Sequence, residues 1–78
     1  MNRIFGAAWC GPCQQLKTQL KNAGFEDGVD FRFVDVDQNA DEAQEAGVRS
    51  VPLLVTEAGD RVLGVPNIMA KFRDRSGN

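Results

Sequence analysis

The chain predicts an α/β fold in which a βαβ unit is followed by a ββα unit, giving a four-stranded mixed sheet flanked by three helices. A short β-capable segment, Arg3 to Phe5, leads through small residues into an apolar pattern of helical period. A second strand-like run, 30–36, follows at the distance of a helical crossover. Two further short apolar runs, split by a turn signal, precede a last amphipathic segment.

In chain order, "RIF" (Arg3 to Phe5) is the first strand. From Pro12, Cys13, Leu16, Leu20 and Ala23 recur at helical spacing with polar residues between them, until Gly24 stops the helix. Pro12 suits the first helical position, where its missing N–H costs nothing. "DFRFVDV" (Asp30 to Val36) has apolar residues on both faces, as a buried parallel strand does. Asn39 and Glu42 have the spacing of a capping box before a thin stripe of Ala40, Ala43 and Ala46 that ends at Gly47. "VPLLVT", "EAGD" and "RVLG" read as strand, turn and strand, a hairpin. Asn67 is the expected cap of a last helix that turns Ile68, Met69 and Phe72 inward and ends before Ser76-Gly77-Asn78.

With 78 residues the chain is expected to form one small domain, 1–78, of modest stability. Hydrophobic residues make up 42% and charged residues 26%, and no apolar run approaches the roughly 18 residues of a membrane span. The net charge of −2 and the acidic residues Asp35, Asp37, Asp41, Glu42 and Glu45, read as a solvated helix end, argue against a nucleic-acid surface. Lys71, Arg73 and Arg75 form a small basic tail suited to a helix C-terminus. Cys10 comes too early for a signal core and cleavage site, so a cytoplasmic location is expected. There thiols stay reduced, and a cysteine pair is catalytic or metal-binding rather than a structural staple.

Both cysteines lie in "AAWCGPCQQL", two residues apart at the predicted helix start. A mononuclear zinc site needs four ligands, and the chain has two cysteines and no histidine. A shared iron–sulfur cluster needs a second chain, and inert packed thiols do not need this string. Residues i and i+3 share one face of a helical turn at a separation that a disulfide tolerates. The unsatisfied N–H groups at the helix start favour a thiolate at Cys10, whereas Cys13, one turn inside, is expected to keep its proton. A βαβ unit whose helix opens on Cys-x-x-Cys is a known signature of thioredoxin-like redox proteins.

Over nearly all of its length the chain resembles the thioredoxin family. "WCGPC", Trp9 to Cys13, is like that family's active-site string; "VDVDQN" resembles the strand and helix entry that follow; "GVRSVPLLV" resembles the segment with the family's cis-proline. The resemblance implies a thioredoxin-like fold and a protein-disulfide reductase or electron carrier. Cys10 would attack and Cys13 resolve, with no cofactor beyond a redox-active Cys10–Cys13 disulfide and no metal. Trp9, Gly11 and Pro12 would support the site. Val51, beside a cis Pro52, would offer its backbone to extended substrates by β-augmentation, and Gly64 would keep the nearby surface open.

Only nine residues precede Cys10. In this the chain resembles glutaredoxins and the small redoxins of bacteria and phages, and it is expected to lack the extra N-terminal strand and helix of full-length thioredoxins. Ile4 and Phe33 stand where thioredoxins have a buried Asp and its Lys partner, Gln14 where a Lys is common, and Thr18 where a proline kinks the helix. Without that Asp, water or the departing substrate thiolate is the expected acceptor of the Cys13 proton. Trp9, Gln14 and "GVPN" favour thioredoxin reductase as electron source over glutathione, the alternative. Disulfide-containing proteins, ribonucleotide reductase among them, are the expected acceptors, and the chain is expected to be a monomer, in a host cytoplasm if phage-encoded. A reading of another class is a structural interaction subunit of a larger enzyme.

Overall fold

The computed structural model describes residues 1–76. Its sheet has the order β2-β1-β3-β4, with β1 at Arg3–Gly6, β2 at Arg32–Asp35, β3 at Leu53–Val55 and β4 at Arg61–Leu63. The expected mixed sheet is present. β1 and β2 run parallel, with Ile4 opposite Phe33, and β3 is antiparallel to both β1 and β4. The three helices are α1 (Gly11–Asn22), α2 (Ala40–Glu45) and α3 (Val65–Ser76).

Alternation along the strands divides the core between the two sheet faces. Ile4 and Leu54 pack with Leu16 and Leu20 of α1 and Ile68, Met69 and Phe72 of α3. Phe5, Val34, Leu53 and Val55 face the other way, onto Ala43 of α2. α2 is short and contributes one buried side chain, so polar clips hold it in place. Glu42 pairs with Arg3 of β1 and Arg32 of β2, and Arg61 of β4 donates to the carbonyls of Ala46 and Gly47. Hydrogen bonding from Arg3, with Arg32 beside it, holds the Glu42 carboxyl below its ordinary pKa despite partial burial.

Several sequence expectations shift. The second strand is an edge strand, shorter than 30–36, because β1 is its one strand neighbour among the described residues; Phe33 is half-buried rather than enclosed. Its outward N–H is covered by Asp27, whose Oδ1 accepts it at 3.0 Å, which blunts an otherwise open edge. Helix α1 starts at Gly11 with Pro12 second, and Ala23 is exposed beyond its end. Asn39 precedes α2 without a side-chain cap, since its amide donates back to the Asp35 carbonyl and Glu42 is engaged by arginines. Asn67 is the third residue of α3 rather than its cap. Gly64 precedes that helix at a φ of +90°, which glycine adopts without strain. The acidic cluster is structural as well as solvated, through Glu42 and the Asp35 and Asp37 bonds described below. Lys71 approaches Asp60 at 4.0 Å instead of a helix end. The side chain of Arg75 and the terminal Gly77 and Asn78 lie outside the described residues. No helix among the described residues is long and apolar enough to cross a membrane.

Candidate active site

β1 runs into a turn that delivers the chain to the start of α1, and Cys10 is the N-cap of that helix. Its backbone is extended, with φ −90° and ψ 111°, and its N–H donates to the Ala7 carbonyl at 3.2 Å. Its Sγ accepts the Cys13 N–H at 3.4 Å, as a capping side chain does. Cys10 retains 7% exposure and Cys13 none, and both are free thiols. This small asymmetry follows from one helical turn, which leaves the cap residue largely buried but open to the groove and rotates the next cysteine fully onto the face that packs against Ala7 and Phe33.

Burial, followed by hydrogen bonding with the Cys10 side chain, pushes the Cys13 thiol from an ordinary 9.0 up to about 12. Such a group holds its proton more tightly in the folded than in the unfolded chain. Its contribution to stability is therefore complete below the unfolded thiol's range and is lost as pH rises from about 9 toward 12. Denaturant titrations of the dithiol form are expected to show stability falling over this alkaline range, and Cys13→Ser is expected to flatten the fall. An unchanged slope in the variant would locate the titration elsewhere.

The other predicted residues gather around Cys10. The Val51–Pro52 bond is cis, as expected, and the Cys10 thiol lies 3.9 Å from the Val51 carbonyl oxygen. The Gly64 N–H donates to the Pro52 carbonyl at 3.1 Å, tying the entry of α3 to that loop. A Cβ at Gly64 would meet nothing within 4 Å, so its positive φ is what selects glycine there. Gly11 and Pro12 are exposed at the helix start, and a Cβ on Gly11 would also meet open space. Trp9 is 70% exposed, and its Nε1 donates to Asp37 Oδ2 at 2.7 Å. Trp9, Cys10, Val36, Val48, Arg49 and Val51 line a shallow groove of about 410 Å³. A larger concavity of about 660 Å³ lies on the other flank of α1 and includes neither cysteine, so chemistry assigns the groove.

Four residues around this site escaped the sequence reading in these roles. Gly6 is one, because a Cβ there would lie 2.5 Å from Phe33 Cζ and 3.1 Å from Cys13 Sγ. The absence of a side chain lets the Phe33 ring cover the buried thiol, and Lys17 Nζ sits 4.5 Å from that ring's centroid. Asp37 holds Trp9, and its own N–H is fixed by Asp35 Oδ1 at 2.8 Å. Gln14 donates from Nε2 to the Ala7 carbonyl at 3.1 Å, bracing the turn before Cys10. Arg49 lines the groove. The short-range Asp-x-Asp pattern in "VDVDQN" was a visible signal for a side-chain-capped turn; the contacts across the fold had none.

Fold and site together define a small α/β protein with a dithiol centre at a helix N-terminus, facing a cis-proline loop. The thioredoxin family model matches residues 4–71, and the chain belongs to the thioredoxin family. It is 41% identical over 61 residues to a thioredoxin of Bacillus subtilis (strain 168), covering 74% of this chain and 59% of that protein. A thioredoxin of Malassezia sympodialis is 39% identical over 54 residues, 65% of this chain and 51% of that protein. The chain thus spans between half and three fifths of these relatives. Among solved structures, Trichomonas vaginalis thioredoxin superposes with a TM-score of 0.68 at 32% identity, covering 99% of this chain and 78% of that one. A buckwheat glutaredoxin in complex with glutathione gives 0.61 at 25%, covering 94% and 68%.

Proposed function

We propose that the chain is a thiol-disulfide oxidoreductase that reduces protein disulfides, drawing electrons from thioredoxin reductase. The observation that carries this reading is the pair of unequal thiols at the start of α1, one capping the helix and lining the groove, the other fully enclosed one turn behind it. The Cys10 thiolate attacks a substrate sulfur, the substrate S–S bond breaks, and the first half leaves as a thiolate. Cys13 then loses its proton and attacks Cys10 Sγ, releasing the second half and closing the Cys10–Cys13 disulfide. Two electrons and two protons pass from the dithiol to the substrate, so no further cofactor is required.

Ile4 is fully buried opposite Phe33 and supplies no base, which supports water or the first departing thiolate as acceptor of the Cys13 proton. Val51 and Pro52 present backbone beside Cys10 to an extended segment, with Gly64 holding the loop. Acidic surroundings and a cysteine pair suited to a reducing compartment fit a monomer working in the cytoplasm, with ribonucleotide reductase among its candidate acceptors. The fold likeness to a glutathione-bound glutaredoxin favours one second reading, glutathione as reductant.

The coupled assay distinguishes the two: NADPH oxidation is followed with a disulfide protein, adding thioredoxin reductase in one arm and glutathione with glutathione reductase in the other. Turnover is expected in the first arm. Turnover confined to the second would assign the chain to glutathione, and turnover in neither would leave the structural-subunit reading.

A further inference from the structure

Arg49 is exposed and lines the same groove as Cys10, Trp9 and Val51. Three other arginines have internal partners: Arg3 and Arg32 share Glu42, and Arg61 donates to the Ala46 and Gly47 carbonyls. Arg49 has no ion-pair or hydrogen-bond partner among the described residues. It is a cation lining the groove of the nucleophile, with its guanidinium donors available. On the Trp9 side of the groove stands the opposite charge, the Asp37 carboxylate that accepts the indole N–H at 2.7 Å. The groove that holds Cys10 is therefore lined by an unneutralised cation, Arg49, and by Trp9, whose indole is tied to a carboxylate.

We propose that Arg49 makes this centre select disulfides bearing a carboxylate close to the reacting sulfur. The inference rests on the oxidoreductase reading above. A guanidinium offers a planar fork that matches a carboxylate, and the pair orients the substrate so that its negative group lies away from Asp37. The chain's net charge of −2 repels anions at long range, so a preference for them has to come from a local cation. Partly exposed pairs of this kind change affinity by small factors, here about threefold to fivefold, and are weakened by salt, whose screening length is about 8 Å at physiological ionic strength.

Two aromatic disulfides test this: dithiobis-nitrobenzoate, which carries carboxylates, and neutral dithiodipyridine. Taking the ratio of kcat/KM for the anionic over the neutral substrate, relative to wild type, cancels their different intrinsic reactivities. Arg49→Gln is expected to lower that ratio about threefold to fivefold, mainly through KM, and Arg49→Lys to restore part of it. Raising the salt concentration is expected to shrink the wild-type ratio and leave that of Arg49→Gln flat. A ratio unchanged in Arg49→Gln, or equal losses on both substrates, would overturn the assignment to Arg49. Failure of the wild-type dithiol to reduce either compound would instead overturn the oxidoreductase reading beneath it.

Discussion

Cys10→Ser is expected to lose disulfide reduction by more than about a thousandfold, while Cys13→Ser still attacks substrate and then stalls as a mixed disulfide. The two cysteines are chemically identical in the sequence and differ only by position. Cys10 caps α1, accepts the Cys13 N–H of the first turn and lines the groove. Cys13 is fully buried and its thiol is pushed up to about 12, so it cannot meet a protein disulfide first. In the proposed exchange its role begins once Cys10 Sγ carries the substrate half, within reach of the neighbouring sulfur. Mass spectrometry after mixing each variant with a disulfide substrate checks the assignment. An adduct of one substrate half is expected on Cys13→Ser and none on Cys10→Ser. The reverse pattern would exchange the roles, and adducts on both would mean that either thiol initiates.

The largest effect on stability is expected from Phe72→Ala. Phe72 is 1% exposed on α3 and packs edge-on against two other rings, Phe25 at 5.1 Å and 67°, and Phe31 at 5.8 Å and 81°. Those rings come from the segment between α1 and β2, so Phe72 joins the last helix to the first crossover. Truncation loses the transferred area, leaves a cavity and removes two aromatic contacts, together about 3–5 kcal/mol. A domain of this size has a total stability near the lower end of about 5–15 kcal/mol. The variant is therefore expected to melt at least roughly 12 °C lower, or to be largely unfolded at body temperature. Circular dichroism against temperature measures it; a shift of only a few degrees would show that the cluster collapses around the gap and that α3 is held by other contacts.

Much of the fold was legible because its elements announce themselves locally. Leu16, Leu20, Ile68, Met69 and Phe72 repeat at helical spacing, and each is buried as that spacing requires. Glycines and prolines mark the interruptions between elements. Caps and strand status were less legible. Asn39 and Asn67 have the residue type of N-caps, yet their amides donate to the Asp35 and Leu63 carbonyls, because where the chain enters α2 and α3 depends on what the preceding strand packs against. "DFRFVDV" looks like an interior strand and is an edge strand, since strand order is decided by long-range pairing that a local apolar run does not encode.

By itself, the sequence determined the pair of elements that matter most: a helix opening on Cys10 and Cys13, and a loop around Pro52, each set by residue types whose backbone preferences act over a few positions. Only the tertiary structure decided how the two meet. It put the Val51 carbonyl 3.9 Å from the Cys10 sulfur, laid Phe33 over Cys13 above the bare Gly6, joined Trp9 to Asp37 across 28 residues of chain, and left Arg49 in the groove without a partner among the described residues. These are contacts between distant segments, and they form when burial of the two apolar sheet faces brings the elements together, a free-energy balance of the whole chain that no short stretch contains.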